Sequence, residues 1–131
     1  MSMNESTCTQ YYHKKLRAEG IYCLKLCLQH ESGVPDSWIC GTKDNIWIEF
    51  KWIKELPKRW NTIIKSKLSP LQTKWILDRQ CHHVKIITIY CSPDGDVIHY
   101  GTNQNVTSAF FKEIMTSRKQ AIKCVTNLVN H

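Results

Sequence analysis

Asp36, Glu49 and Lys51 are the residues of this chain best equipped for chemistry. Pro35 precedes Asp36, twelve residues separate Asp36 from Glu49, and Phe50 alone stands between Glu49 and Lys51. Strand side chains alternate, so in a strand over 46–52 Trp47, Glu49 and Lys51 leave one face, and Ile46, Ile48, Phe50 and Trp52 the other. If residues 34–52 fold back as a hairpin, Asp36 pairs opposite Glu49 with a tight turn at Thr42-Lys43. The alternative register sets it opposite Lys51, with a four-residue loop from Thr42 to Asn45. Both registers gather the three groups on one face; a slip by one residue would send Asp36 to the other. Two carboxylates in contact disfavour each other's ionisation. A Mg²⁺ ion, or Mn²⁺ in its place, removes that cost, because hard cations take carboxylate oxygens, carbonyls and waters. The backbone carbonyl of Phe50 is a natural third protein ligand. Lys51 would then orient or help deprotonate a water and offset charge on a phosphate. The predicted chemistry is metal-assisted phosphodiester hydrolysis.

The elements that must position these residues can be read along the chain. Residues 5–19 have the spacing of a helix, with Cys8, Tyr11, Tyr12, Lys15 and Leu16 recurring and Gly20 as the stop. Residues 21–28 read as a strand apolar on both faces, as an interior strand would be. A polar connection, 29–33, leads to strands over 34–40 and 46–52, joined across the turn-forming residues 41–45. Segment 53–67 is basic: Lys54, Lys58, Arg59, Lys65 and Lys67 face the single acid Glu55, and Pro57 opposes a continuous helix. Leu68-Ser69-Pro70-Leu71-Gln72 then announces a helix, with Ser69 at the N-cap, Pro70 at N1 and Leu68 as a staple. Leu71, Trp75 and Asp78 share one of its faces. Residues 84–90 form a β-branched strand, Pro93-Asp94-Gly95 a turn and 96–100 a short partner strand. Phe110, Ile114, Ala121, Val125 and Leu128 mark one long amphipathic helix over 106–128. The fold class expected is mixed α/β, in α-β-β-β-α-β order with a C-terminal helix, and a single domain over 1–131.

Composition agrees with a soluble globular protein that meets a polyanion. The 131 residues are 42% hydrophobic and 22% charged, which argues against disorder. Eighteen Lys and Arg against eleven Asp and Glu leave a net charge of +7, which favours a polyanionic partner through counterion release. The seven cysteines include no CxxC pair, and no secretory n-region and h-region opens the chain. Reduced thiols acting as small hydrophobes are the expected state. No apolar stretch approaches the roughly 20 residues that span a bilayer, so a cytoplasmic protein without membrane contact is expected. Cys81-His82-His83 lacks a second pair at zinc spacing and reads as a polar turn.

Pro35-Asp36 followed by Glu49-Phe50-Lys51 resembles the PD-(D/E)XK nuclease signature, whose family fold has this same order of elements. The fuller string Gly33-Val34-Pro35-Asp36, Ile48-Glu49-Phe50-Lys51, Leu68-Ser69-Pro70-Leu71-Gln72 and Trp75 is similar to the VRR-NUC branch, including its short stand-alone phage and bacterial members. The likeness covers about 5–90, leaving 91–131 as an extension without a matched motif. It implies a restriction-endonuclease-like core and a divalent-metal-dependent endodeoxyribonuclease. It further implies action on branched DNA such as Holliday junctions or flaps, a homodimer, and the host cytoplasm if the gene is a phage's. Asp36, Glu49 and Lys51 carry the signature. Gln72 matches the family's glutamine near the metal, or else only caps its helix. Glu5 matches a first-helix acid that contacts the metal through water, or else only complements the helix N-terminus. Glu19 is a second candidate at the far end of that helix, and His30 and Glu31 stand where the site mouth could be. The basic residues 54, 58, 59, 65 and 67 are the expected DNA-backbone contacts, with Trp52 and Trp60 placed to stack on an opened base. Two other functions fit the same features: a nicking or site-specific endonuclease of the superfamily, and a non-catalytic nucleic-acid-binding protein on its scaffold.

Overall fold

The computed structural model describes residues 3–26, 33–64, 68–100 and 106–130. Helix α1 spans Glu5–Ala18 and starts at a capping box, in which Asn4 accepts from the Thr7 N–H at 2.9 Å and Thr7 returns a bond at 2.8 Å. It ends before Gly20, whose φ of 79° suits glycine. Its inward face is Cys8, Thr9, Tyr12, His13 and Leu16. Tyr11 and Lys15, expected on that face, are exposed instead, and the Lys15 ammonium lies over the Tyr11 ring.

Five strands form one sheet in the order β1-β2-β3-β5-β6. These are β1 (Tyr22–Lys25), β2 (Ser37–Cys40), β3 (Asn45–Trp52), β5 (Ile86–Ser92) and β6 (Gly95–His99); β4 (Ile63–Ile64) lies outside it. The expected interior strand near 21–28 is an edge strand. Cys23 alone of β1 is buried, while Tyr22 and Leu24 project from a face that nothing covers among the described residues. Residues 27–32, with the rest of that strand, the polar connection, His30 and Glu31, fall outside the described residues.

The β2–β3 pairing resolves the hairpin register. Ser37 stands opposite Ile48 and Cys40 opposite Asn45, so continuing the ladder sets Asp36 opposite Glu49, with Thr42-Lys43 as the turn. Gly41 N–H closes that turn on the Asp44 carbonyl at 2.9 Å. Strand β3 also runs parallel to β5, with Phe50 beside Ile89. A parallel pair needs a long crossover, which residues 53–85 provide. Helix α2 (Pro70–Gln80) lies within it.

Alternation along β3 divides the two sides of the sheet. Ile39, Ile46, Ile48, Phe50, Ile87 and Ile89 join the core beneath α1. Trp47, Glu49 and Lys51 take the opposite side, where Trp47 meets Trp75 of α2 edge-on at 5.3 Å between ring centroids. The face α2 turns inward is Gln72, Trp75 and Ile76; Leu71 and Asp78, expected beside Trp75, are exposed. Pro93 and Asp94 form the β5–β6 turn as expected, and Cys81-His82-His83 is an exposed turn in which His83 adopts φ 63°.

The C-terminal segment departs from the single helix expected over 106–128. It comprises β7 (Val106–Thr107), α3 (Ser108–Ile114) and α4 (Arg118–Asn130). Thr116 bridges Asp96 through two backbone bonds of 2.8 and 2.9 Å, which pulls 115–117 into an extended link. The break rephases the stripe, so Phe111 is buried whereas Phe110 and Ile114 are exposed. Helix α4 buries Ala121, Ile122, Val125 and Val129 in the core shared with α1. Its last turn receives the β2–β3 turn: Lys43 and Asp44 N–H donate to the Val129 carbonyl at 2.8 and 3.0 Å, and Thr42 N–H to the Asn130 side chain at 3.0 Å. Gly41 allows this approach, since a Cβ there would stand 2.3 Å from Asn130 Oδ1. At its other end Arg118 donates to both Asp96 carboxylate oxygens, at 2.8 and 3.0 Å, and Tyr12 donates to the same group.

Candidate metal centre

Three carboxylates meet where β2 and β3 part. Glu5, Asp36 and Glu49 each offer an oxygen, and the three lie within 4.8 Å of one another. Glu5 comes from the first turn of α1, Asp36 from the residue before β2, and Glu49 from mid-β3. One Asp36 oxygen accepts the Phe50 N–H at 3.2 Å. The N–H groups of Trp47 and Ile53 point to β5, so alternation directs the backbone groups of Phe50 towards β2 and the side on which Asp36 sits. Continuing the register brings Pro35 across from Phe50, and proline has no N–H to offer its carbonyl.

Glu49 is only 2% exposed, and its two oxygens differ. Oε2 accepts from Gln72 Nε2 at 3.0 Å and from the Lys51 ammonium at 3.3 Å. Oε1 is buried with no partner. An unpaired buried acceptor is costly and calls for an explanation in ligand binding or catalysis. Burial, aided by the Asp36 charge and opposed by Lys51, pushes the Glu49 carboxyl up to about 8. A hard cation fits this cluster: every ligand atom is an oxygen, the acids lack enough positive charge, and one buried oxygen awaits a partner.

Gln72 caps its helix, one of the two readings its sequence context left open, and its amide also reaches Glu49. Its Oε1 accepts the Ser69 N–H at 2.9 Å while Ser69 Oγ accepts the Gln72 N–H at 3.1 Å, which completes the capping box. The amide is thereby oriented with Nε2 towards Glu49. Gly33 explains why the two motifs occur together. At φ 87° it presses on the backbone of α2, where a Cβ would stand 2.3 Å from the Leu71 carbonyl. The turn before Asp36 is thus packed on the helix start that presents Gln72.

Not every candidate joins the cluster. Glu19 caps the opposite end of a 14-residue helix, roughly 20 Å from Glu5 at helical rise. Lys54, Lys58, Arg59 and Trp60 are exposed on the irregular segment after β3, and Trp52 is half-buried. Lys65 and Lys67 lie outside the described residues. A cleft of about 570 Å³ runs between Asn4, beside Glu5, and Lys54, with Trp52 and Arg118 in its wall. Sequence reasoning missed His13, whose Nε2 lies 2.8 Å from Ser37 Oγ, both buried, one residue from Asp36. Its spacing from Thr9 and Leu16 was the available signal. Among the described residues one other cluster, Cys8, Cys91 and Asp96, is fully buried. Its carboxylate is already taken by Arg118 and Tyr12, so it reads as structural. The described cysteines are free thiols.

Known proteins agree with this geometry at the level of fold. No family model and no curated protein matches the chain. Its structure is similar to that of Hjc, a Holliday junction resolvase from the archaeal hyperthermophile Archaeoglobus fulgidus. The TM-score is 0.59 at 11% identity, over 88% of this chain and 98% of that one. The protein therefore has the mixed α/β, restriction-endonuclease-like fold expected of it. Among the described residues, no helix is long and apolar enough to cross a membrane.

Proposed function

We propose that the chain is a divalent-metal-dependent DNA endonuclease of the PD-(D/E)XK type, close to the VRR-NUC branch and selective for branched DNA. The observation that carries this reading is the buried, unpartnered Glu49 Oε1 beside Asp36 and Glu5. The resolvase-like fold supports it, and so does the net charge of +7. The 131 residues act as one nuclease domain in this reading, and a homodimer would supply the second centre that cutting two strands symmetrically requires.

Asp36, Glu49 and the Phe50 carbonyl would hold Mg²⁺, or Mn²⁺ in its place, with Glu5 reaching it through water. Once bound, the cation would lower the pKa of a neighbouring water and spread the charge of a phosphate under in-line attack. Gln72 fixes the Glu49 carboxylate so that Oε2 is satisfied and Oε1 is left for the cation. Lys51 keeps its ammonium at the same carboxylate, where it can orient the attacking water and offset negative charge on the phosphate. Lys54, Lys58, Arg59, Lys65 and Lys67 would hold the DNA backbone without reading bases.

A nicking assay on supercoiled plasmid tests this directly. Cleavage is expected with Mg²⁺ or Mn²⁺ and none with EDTA. Asp36→Ala and Glu49→Ala should abolish it while leaving DNA binding within a few-fold. Lys51→Ala should lower turnover by about 10²-fold, the scale of losing one electrostatic stabiliser. Full activity of any of the three variants would rule the mechanism out.

A further inference from the structure

Segments 53–64 and 106–114 pack together against Tyr90 of β5 and Val97 of β6. Ile53, Leu56, Ile64, Tyr90, Val97 and Phe111 close a core of their own, and β4 pairs antiparallel with β7. The start of α3 then pins the basic loop. Ala109 N–H donates to the Trp60 carbonyl at 2.9 Å, Ser108 N–H to the Thr62 carbonyl at 2.8 Å, and the Ser108 hydroxyl to the Arg59 carbonyl. The backbone of 59–62 is anchored at three points, yet Trp60 is 73% exposed, more than any other large hydrophobic side chain among the described residues. Lys58 and Arg59 immediately before it are exposed as well.

An indole left largely in water on a fixed backbone contributes little to folding, and its two side-chain torsions are most of what it must order when it meets a flat partner. Five Lys and Arg against one acid across 53–67 make that partner a polyanion. Within continuous duplex every base face is already stacked. Where a branch point is held open, or a helix ends at a flap, the terminal pair exposes one. Indole on a base face, with cations on the flanking phosphates, is the chemistry by which proteins hold unstacked nucleic acid.

We propose that Trp60 is a stacking wedge that recognises the exposed base face at a DNA branch point and so sets the preference for branched over continuous duplex. This rests on the nuclease reading and names its specificity determinant. The test uses a four-way junction carrying 2-aminopurine at the branch and a linear duplex of the same sequence, with Ca²⁺ replacing Mg²⁺. Wild-type protein should quench the 2-aminopurine and bind the junction about tenfold more tightly than duplex, as one stacked base allows. Trp60→Ala should lose the quenching and the preference, keep its duplex affinity and melt at the wild-type temperature; Trp60→Phe should restore most of both. Quenching and preference that survive in Trp60→Ala, or a wild type without preference, would overturn the wedge even if plasmid cleavage proceeds. Trp60-dependent quenching by a protein that cuts nothing with any divalent ion would retire the nuclease reading and keep the wedge.

Discussion

His13 is a buried side chain that meets the chain neighbour of a candidate metal ligand. Its ring is 4% exposed, packs 6.3 Å from the Phe50 ring and meets the Ser37 hydroxyl next to Asp36. Burial, with the Arg17 and Lys25 charges adding to it, lowers its pKa to about 4. The unfolded chain therefore binds more protons on this residue between about pH 4 and the ordinary value near 6.5. Stability from His13 is fully present above that ordinary value and is lost as pH falls towards 4, by at most about 3 kcal/mol. Glu49 tilts the other way. Its raised carboxyl favours the folded state at low pH, and that contribution fades as pH rises through about 8. The two slopes overlap, so the wild-type curve alone does not isolate His13. Urea midpoints at pH 7 and pH 4.5 for wild type and His13→Gln do, and the variant should lose less stability on acidification. Equal losses would mean that His13 is protonated, or solvated, in the folded protein.

Helix α4 ties together elements that hold the site, and its importance was hidden from the sequence. It clasps the β2–β3 turn at its C-terminus and anchors to β6 and α1 through Arg118 and Asp96 at its N-terminus. Asp96 is fully buried, so removing Arg118 takes away the cation that compensates its charge and leaves the Tyr12 hydroxyl as a donor to it. Arg118→Met should destabilise by about 3–5 kcal/mol in chemical denaturation, the usual cost of breaking one side of a buried pair. Activity per folded molecule at low temperature should be retained; a loss below 1 kcal/mol would show the pair to be well solvated. Local signals made the rest of the site legible. The Ser69-to-Gln72 capping box fixed the start of α2 within four residues, and alternation along β3 separated Glu49 and Lys51 from Ile48 and Phe50. What failed was non-local. The break at Met115–Ser117 depends on Thr116 pairing with Asp96, 20 residues earlier in the chain, and the edge position of β1 depends on which strands its neighbours choose. The meeting of Glu5 with Asp36 and Glu49 is equally long-range, and only the family resemblance anticipated it.

Charge and shape divide the work at the scale of the whole molecule. Under the proposed function, a net charge of +7 would attract any DNA, whereas the exposed Trp60 indole would favour DNA with an open base face. These two contributions separate in their salt dependence. Each phosphate neutralised by Lys or Arg releases counterions and steepens the fall of log affinity with log salt by about 0.9. Replacing Lys54, Lys58 and Arg59 together with Ala should flatten that slope by up to about 2.7, on junction and duplex alike. All three side chains are exposed, so folding should be unaffected. Trp60→Ala should instead shift junction affinity at every salt concentration and leave the slope unchanged, because stacking releases no ions. Fluorescence-anisotropy titrations between 50 and 200 mM salt, about the range over which such slopes are read, would distinguish the two. An unchanged slope in the triple variant would move the backbone contact away from Lys54, Lys58 and Arg59.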